Sequence, residues 1–343
     1  MLAVQKTSPA FGLTLVDVAP PAPGPGEVLV EVDAAGICGS DVHVYEWTPS
    51  YEWMQPLMPL TIGHEFAGRV IAAAPDVTLP LLGRRVTVLP GVACGRCRRC
   101  AAGQPELCER RAIIGLTRDG AFARHVTAPA ANCIVLPDGI DMELAALTEP
   151  LGIGAQAVDV GAVALGQSVV VLGAGMIGLG TAMMARLAGA STVIVAGLDD
   201  DARLSAARDL GFQHAVDLRH ENLADAVSRI ADGKVDRVFE ATGAASSITD
   251  GLEVLRQGGV LVATGIHARP VEVNMTSLVR MRHQIRGSHG APRATWLTVL
   301  RLLAQSGEMF RPLISHRITL GETVGGFELS RSKAATKVMV LLD

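Results

Sequence analysis

Aromatic side chains are scarce in this chain: seven Phe, three Trp and two Tyr among 343 residues. A core therefore has to rest on Ala, Val, Leu and Ile. An excess of one charge is also missing, since 30 Lys and Arg face 34 Asp and Glu for a net charge of −4. That balance argues against a protein built to coat nucleic acid or an anionic membrane. Long apolar runs are absent too. No stretch of about 18 residues escapes charge or turn residues, so a membrane span is not expected. The nearest candidate, 168–185, is interrupted by glycines and reads as strand, turn and helix. The first residues, Met1-Leu2-Ala3-Val4-Gln5-Lys6, lack the basic start and apolar stretch of a signal peptide. A cytoplasmic location is the expectation. With 49% hydrophobic residues the chain can still bury a full core, which excludes general disorder.

The length suggests two domains. Up to about residue 150, short β-type runs such as 28–32 and 85–89 are punctuated by Pro and Gly, as in 20–26. That pattern predicts a mostly β unit, 1–150, with barrel-like character. Beyond it, apolar runs at 169–172, 192–196, 237–240 and 260–264 alternate with helical segments at 176–188, 202–210, 223–230 and 246–256. Such alternation predicts parallel strands with crossover helices, a doubly wound α/β domain over 151–290. A helix at 293–305 and β runs at 314–318 and 337–342 remain. This tail, 291–343, is too short to stand alone and is expected to return to the first domain.

The first apolar strand of the second domain runs into Gly173-Ala174-Gly175-Met176-Ile177-Gly178 and then a helix. A lone GxGxxG is weak evidence, but between strand and helix it has a mechanism. Gly173 permits the tight turn, Gly175 admits a pyrophosphate to the backbone, and Gly178 allows helix and strand to pack closely. The amides at Met176 and Ile177 open a helix whose N-terminus attracts phosphate. The second strand should end on an acid that holds the ribose hydroxyls, yet Gly197 stands there, followed by Leu198-Asp199-Asp200-Asp201. The missing acid favours NADP. The three carboxylates, with Arg203 as the one local cation, would repel a 2′-phosphate. The balance favours NAD, with Asp199 and Arg203 as candidate contacts.

Six cysteines are present, and four crowd together as Cys94-x2-Cys97-x2-Cys100-x7-Cys108. In a chain without an export signal this spacing favours metal over disulfides. Four thiolates close a tetrahedral zinc site and leave no open position, so the site is structural. Arg84, Arg85, Arg96, Arg98, Arg99, Arg110 and Arg111 flank it. A nucleic-acid-binding zinc ribbon with a regulatory role would look partly similar. The acidic net charge and the absence of interleaved aromatics make a solvated or subunit-contact face the better reading. A second group is Cys38, Gly63-His64-Glu65 and Glu149: one thiolate, one imidazole and a carboxylate are the mixed ligands of a catalytic zinc. Tyr45, Trp47, Tyr51 and Trp53 concentrate aromatics nearby in sequence and are candidate pocket residues. Arg280, Arg282, Arg286 and Arg293 offer a second basic patch for a substrate anion, with a solvated face as the alternative.

Through Cys38-Gly39-Ser40-Asp41-x-His43, Gly63-His64-Glu65, the four-cysteine lobe and the 173–178 fingerprint, the chain resembles the zinc-dependent medium-chain dehydrogenase/reductases along essentially its whole length. Glu149-Pro150-Leu151-Gly152 is similar to the sorbitol (polyol) dehydrogenase branch. The 43–53 segment, and Gly287-x-x-Gly290 before Trp296, resemble the threonine 3-dehydrogenase branch. The resemblance implies a GroES-like catalytic domain and a Rossmann coenzyme domain. It further implies two zinc ions per chain and a hydride transfer between NAD(P) and a secondary alcohol of a polyol, cyclitol or amino alcohol, giving the ketone. Small alcohols and ketones are then the partners, with a homotetramer, otherwise a homodimer, as the assembly. By the same resemblance Cys38 and His64 are zinc ligands. Glu65 and Glu149 are exchangeable carboxylates, one direct and one through water, or alternating. Ser40 accepts the substrate proton and His43 relays it. A quinone or enoyl reductase of the same fold would not need Cys38, His64, Glu65 and Glu149 together. Cys133 has no matching role and reads as a buried thiol.

Overall fold

The structure is a computed structural model, described here over residues 1–342. The chain forms two compact units. Over the described residues the first comprises 1–149, 292–332 and 337–342, the second 150–291 and 333–336. Each has its own sheet and its own core.

In the first unit a mainly antiparallel sheet is built on the long strand Glu27–Gly36. Its even-numbered residues Val28, Val30, Val32 and Ala34 are buried while its odd ones from Glu27 to Asp33 are at least partly exposed. That is the period-two pattern of a half-covered strand. At Ala34-Ala35-Gly36 the alternation stops and every residue is buried, because the strand there enters the polar centre described below. Glu65–Ala73 pairs with it on one side and Lys337–Leu341, from the far end of the sequence, on the other. Arg85–Val88 and Cys133–Val135 continue the first side, Ile314–Thr319 extends the second, and His125–Pro129 also pairs with Glu27–Gly36. A separate three-stranded sheet joins Thr14–Asp17, Leu2–Lys6 and Leu60–Thr61.

In the second unit six parallel strands follow the order His214–Asp217, Thr192–Gly197, Ser168–Leu172, Val235–Glu240, Leu255–Ala263, Gln284–Gly287. Ser168–Leu172 is central, lies between two neighbours and is buried at every residue. A strand covered on both faces loses alternation and becomes a continuous apolar run. Val170, Ile194, Val238 and Leu261, each fully buried, meet on one face of this sheet. Burying each such side chain contributes about 1.5–3 kcal/mol.

Two features differ from the sequence reading. The helix expected over 246–256 ends at Val254, and Leu255 already begins a strand. Strand pairing slips between Val235–Leu255 and Arg237–Val260, so Arg256–Gly259 form an irregular insertion that helical periodicity cannot distinguish from a last helical turn. The short helix Gly39–Glu46 was not expected at all. Among the described residues no helix is long and apolar enough to cross a membrane.

Candidate active site and metal centres

The first unit gathers Cys38, His64, Glu65 and Glu149 where several elements converge. Cys38 is the N-cap of the helix Gly39–Glu46, and its backbone N–H donates to Asp41 Oδ2 at 3.0 Å in a capping box. Asp41, fully buried, turns its other oxygen towards His64 Nδ1 at 3.4 Å. This leaves His64 Nε2 facing the Ser40 hydroxyl, 3.3 Å away. A carboxylate behind one imidazole nitrogen fixes the tautomer and leaves the other nitrogen to bind metal. Asp41 is thus a site residue that sequence reasoning missed, although it lies inside the quoted motif.

Glu65, next to His64, begins the strand Glu65–Ala73 and is fully buried. Its Oε2 pairs with the Lys337 ammonium, which also donates to the Ile37 carbonyl at 2.7 Å. A side chain at Gly36 would put its Cβ 2.3 Å from Glu65 Oε2, so the close passage of the strand depends on glycine there. Glu65 Oε1 is buried with no hydrogen bond. Burial pushes the Cys38 thiol above its ordinary pKa, and the Glu65 charge adds to that effect. For His64 burial opposes the charged form, but the Asp41 carboxylate and the Cys38 sulfur outweigh it and hold the imidazole well above 6.5.

Glu149, in the first turn of the helix Thr148–Gly161, is buried as well, which pushes its pKa up to about 7. A raised acid pKa favours the uncharged form in the fold. Stability of the metal-free protein should therefore fall as pH rises from the unfolded carboxylate value, about 4.3, towards 7. We expect Glu149→Gln to be more stable than wild type in the metal-free state by roughly 2–4 kcal/mol at pH 8, with a gap that closes towards pH 4.5. Urea unfolding at both pH values measures it, and a gap independent of pH would contradict the assignment.

Around Ser40 the structure adds Tyr51, buried, whose hydroxyl bonds with Ser40 and whose ring stacks on His43 at 5.8 Å and 12°. Thr48 Oγ1 lies 3.3 Å from His43 Nδ1. Burial lowers the His43 pKa, so its ring is neutral near pH 7. Of the other expected pocket aromatics, Tyr45 is turned elsewhere. Its hydroxyl donates to Glu328 at 2.6 Å and its ring packs on Phe11 and Phe327. Trp53 is half exposed with its indole N–H on the Ser50 carbonyl, and Trp47 lies beneath the buried Lys6 ammonium.

Among the described residues, Cys94, Cys97, Cys100 and Cys108 form the one group of His, Cys or acid side chains with all ligand atoms within 4.8 Å. Sulfur separations of 3.5 Å for Cys97–Cys100 and 3.9 Å for Cys97–Cys108 suit tetrahedral zinc, for which Zn–S bonds of about 2.3 Å imply S···S of about 3.8 Å. The Arg96 N–H, with further backbone and thiol partners, lowers the Cys94 pKa to about 6, and the Cys100 N–H lowers that of Cys97. At these two positions the backbone is already arranged for thiolates, whereas burial and the neighbouring Cys97 and Cys108 thiols push Cys100 up to about 12. All six cysteines are free of disulfides. Of the flanking arginines, Arg85 donates to the Ile140 and Pro137 carbonyls and Arg99 to Gln104, which is structural work. In the second basic patch two arginines have backbone partners. Arg293 binds the Ala131 and Cys133 carbonyls in the first unit, and Arg286 binds the Val160 carbonyl in the second.

In the second unit Gly173 has φ +103°, and a Cβ there would meet the Ala241 carbonyl oxygen at 2.9 Å. A Cβ on Gly178 would fall 1.8 Å from the Gly173 carbonyl oxygen. Gly175 is the N-cap of the helix Met176–Leu187 and offers no side-chain cap, so the first helical amides, from Met176 and Ile177 on, have no side-chain partner there. Phosphate oxygens suit such an end. At the neighbouring strand end Glu240 is fully buried and accepts from Thr242, the Gly243 N–H and His267. Sequence reasoning did not single it out.

A nucleotide-type parallel sheet, a four-thiolate lobe and a buried Cys–His–carboxylate centre together define a zinc-containing dehydrogenase class. Residues 24–138 match the family described as alcohol dehydrogenase GroES-like domain, and 177–305 the family described as zinc-binding dehydrogenase. An L-threonine 3-dehydrogenase of Pyrococcus abyssi is 36% identical over 351 aligned positions, covering 100% of this chain and 99% of its own. A crystal structure of a zinc-binding dehydrogenase from Sinorhizobium meliloti bound to NADP matches with TM-score 0.87 at 31% identity, covering 99% of this chain and 98% of that one. An alcohol dehydrogenase from Escherichia coli CFT073 complexed with NADH matches with TM-score 0.89 at 27% identity over 99% of both chains. The chain belongs to the zinc-dependent medium-chain dehydrogenase family and is an NAD(P)-dependent alcohol dehydrogenase of its threonine and sorbitol dehydrogenase-like branch.

Proposed function

We propose that Cys38, His64 and a carboxylate hold a zinc ion at which a secondary alcohol of an amino alcohol, polyol or cyclitol is oxidised to the ketone. The observation that carries this reading is the buried centre itself. Asp41 presents His64 Nε2 towards the Ser40 hydroxyl, beside a Cys38 thiol, and two further buried carboxylates lie close by. The donor types, one thiol, one imidazole and carboxylates, suit a dication, although their ligand atoms are not drawn within 4.8 Å of one another as those of the four-cysteine lobe are. Glu65 Oε1 lacks a partner and Glu149 has its pKa raised, as anionic ligands do when no metal charge compensates them. Zinc bound there would supply Lewis acidity that brings the pKa of a hydroxyl down towards about 7, and the dinucleotide would accept the hydride.

The remaining work falls to this chain's own residues. Lys337 restrains Glu65, so Glu149 is the freer carboxylate and the direct ligand in this reading, with Glu65 as its exchange partner. Ser40 Oγ takes the alcohol proton and Tyr51 orients that hydroxyl. His43, neutral at pH 7 and held by Thr48, receives the proton and passes it to solvent. Amino alcohols gain support from the L-threonine 3-dehydrogenase relatives. Free thiols throughout accord with a cytoplasmic setting, and a homotetramer is the assembly expected from the family.

The test is an initial-rate panel of L-threonine, polyols and cyclitols with NAD and NADP, alongside elemental analysis. Turnover of at least one secondary alcohol and two zinc ions per chain are expected. One zinc or none in carefully prepared protein, with no turnover of any alcohol, would overturn the reading.

A further inference from the structure

The ribose end of the dinucleotide site lacks its usual acid, because the strand Thr192–Gly197 ends on glycine. The space is not empty. A Cβ built on Gly197 would lie 3.0 Å from the Cβ of Asp200, so Asp200 starts from where the strand-end side chain would stand. The chain reaches this position through Asp199, which takes the left-handed conformation at φ +53°. Asp200 is then the N-cap of the helix Asp201–Asp209, yet its carboxylate makes no capping hydrogen bond. Aspartate at that position ordinarily bonds a first-turn amide. Here it is turned instead towards the glycine turn, where the Ala174 N–H faces it. It is 5% exposed, and its Oδ1 is buried without a hydrogen bond, with the Arg203 guanidinium 3.6 Å away.

We infer that Asp200 replaces the missing strand-end acid as the residue that reads the adenosine ribose, and that it makes this chain select NAD over NADP. A buried acceptor with unused capacity, beside the glycine turn, suits a ribose diol. The same carboxylate repels a 2′-phosphate. Arg203 is the partial counter-ion of Asp200 itself, 3.6 Å from the same oxygen, and the donors of the nearby cations are engaged by this chain's own groups. Arg203 Nε is committed to the Ala335 carbonyl at 2.7 Å, and Lys333 donates to the Leu198 carbonyl at 2.8 Å. Arg219 is enclosed by Asp199, Asp201 and Asp217. Of the sequence candidates, Asp199 is thereby reassigned: it is exposed and pairs with Arg219 while its neighbour faces the turn. The two structural relatives, one with NADP and one with NADH, leave the choice open for this chain.

The inference rests on the dehydrogenase reading, and titration of the zinc-loaded enzyme by NADH and NADPH fluorescence separates the two. Wild type is expected to bind NADH at least tenfold more tightly than NADPH. Asp200→Asn and Asp200→Ala should each weaken NADH at least tenfold and collapse the ratio. Gly197→Asp combined with Asp200→Gly, which removes the Cβ that a side chain at 197 would meet at 3.0 Å, should restore NADH binding by returning the acid to the strand end. This second arm guards against simple misfolding of the single variants. Equal or tighter NADPH binding by wild type, or a ratio unchanged in both single variants, overturns the inference while leaving the dehydrogenase intact. Failure of wild type to bind either dinucleotide overturns both.

Discussion

Replacing Cys38 by Ser should lower kcat/KM by at least a thousandfold, about 4 kcal/mol of transition-state stabilisation, while the protein stays folded. The two halves of this expectation come from different parts of the side chain's surroundings. As the N-cap of the helix Gly39–Glu46, position 38 supports the helix that carries Ser40, Asp41 and His43. Serine is a preferred N-cap and can replace the thiol in the capping box, so the helix should persist. As a metal ligand serine is poor, because a hydroxyl does not give up its proton as a thiol does next to a cation. Zinc content should fall from two per chain to one. Cys97→Ser makes the contrast, because it opens the closed four-thiolate lobe, whose metal contributes directly to folding. Melting curves, zinc analysis and kinetics on both variants decide the matter. If Cys38→Ser unfolded the protein and Cys97→Ser spared it, the structural and catalytic assignments would have to be exchanged.

What could be read in the sequence was what spacing encodes. The glycine turn at 173–178 and the four clustered cysteines act within a few residues of one another, so their geometry is local. The run 169–172 is apolar at each position because that strand is covered on both sides, and this too is visible in one dimension. The helix Gly39–Glu46 was invisible, since it carries polar Ser40, Asp41 and His43 and shows no apolar periodicity. Tyr45 and Tyr51 are alike in sequence, yet one closes an aromatic cluster on Glu328 and the other touches Ser40. Only the turn after Glu46, left-handed at Trp47, separates them. Arg286 and Arg293, seven positions apart, bind backbone carbonyls in different units, Val160 for one and Ala131 and Cys133 for the other. Partners distant in sequence could not be found at all. Lys337 meets Glu65 across 272 positions, and no local pattern announces such a pair.

Lys337→Met should therefore be among the most damaging substitutions in the first unit, costing about 3–5 kcal/mol. Both partners of the pair are essentially without solvent. Removing the ammonium leaves the Glu65 carboxylate buried with one oxygen already lacking a hydrogen bond. It also removes the donor to the Ile37 carbonyl, at the residue that precedes Cys38. Burial opposes the charged form of Lys337, but Glu65, Cys38 and Glu149 outweigh it and raise its pKa. A cation whose pKa is raised on folding contributes in full below its unfolded value, about 10.4, and loses that contribution only above it. The deficit of the variant should thus grow from pH 6 to pH 9, because at the lower pH the uncompensated Glu65 carboxylate can take up a proton and Glu149, with its pKa at about 7, carries less charge for Lys337 to offset. The double variant Lys337→Met with Glu65→Gln should recover most of the lost stability, since a neutral amide does not leave a charge uncompensated. It should not recover activity if the Lys337–Glu65 pair also governs which carboxylate reaches the metal. Urea unfolding of the single and double variants gives the coupling energy. A coupling near zero would show that the buried pair is incidental to the fold.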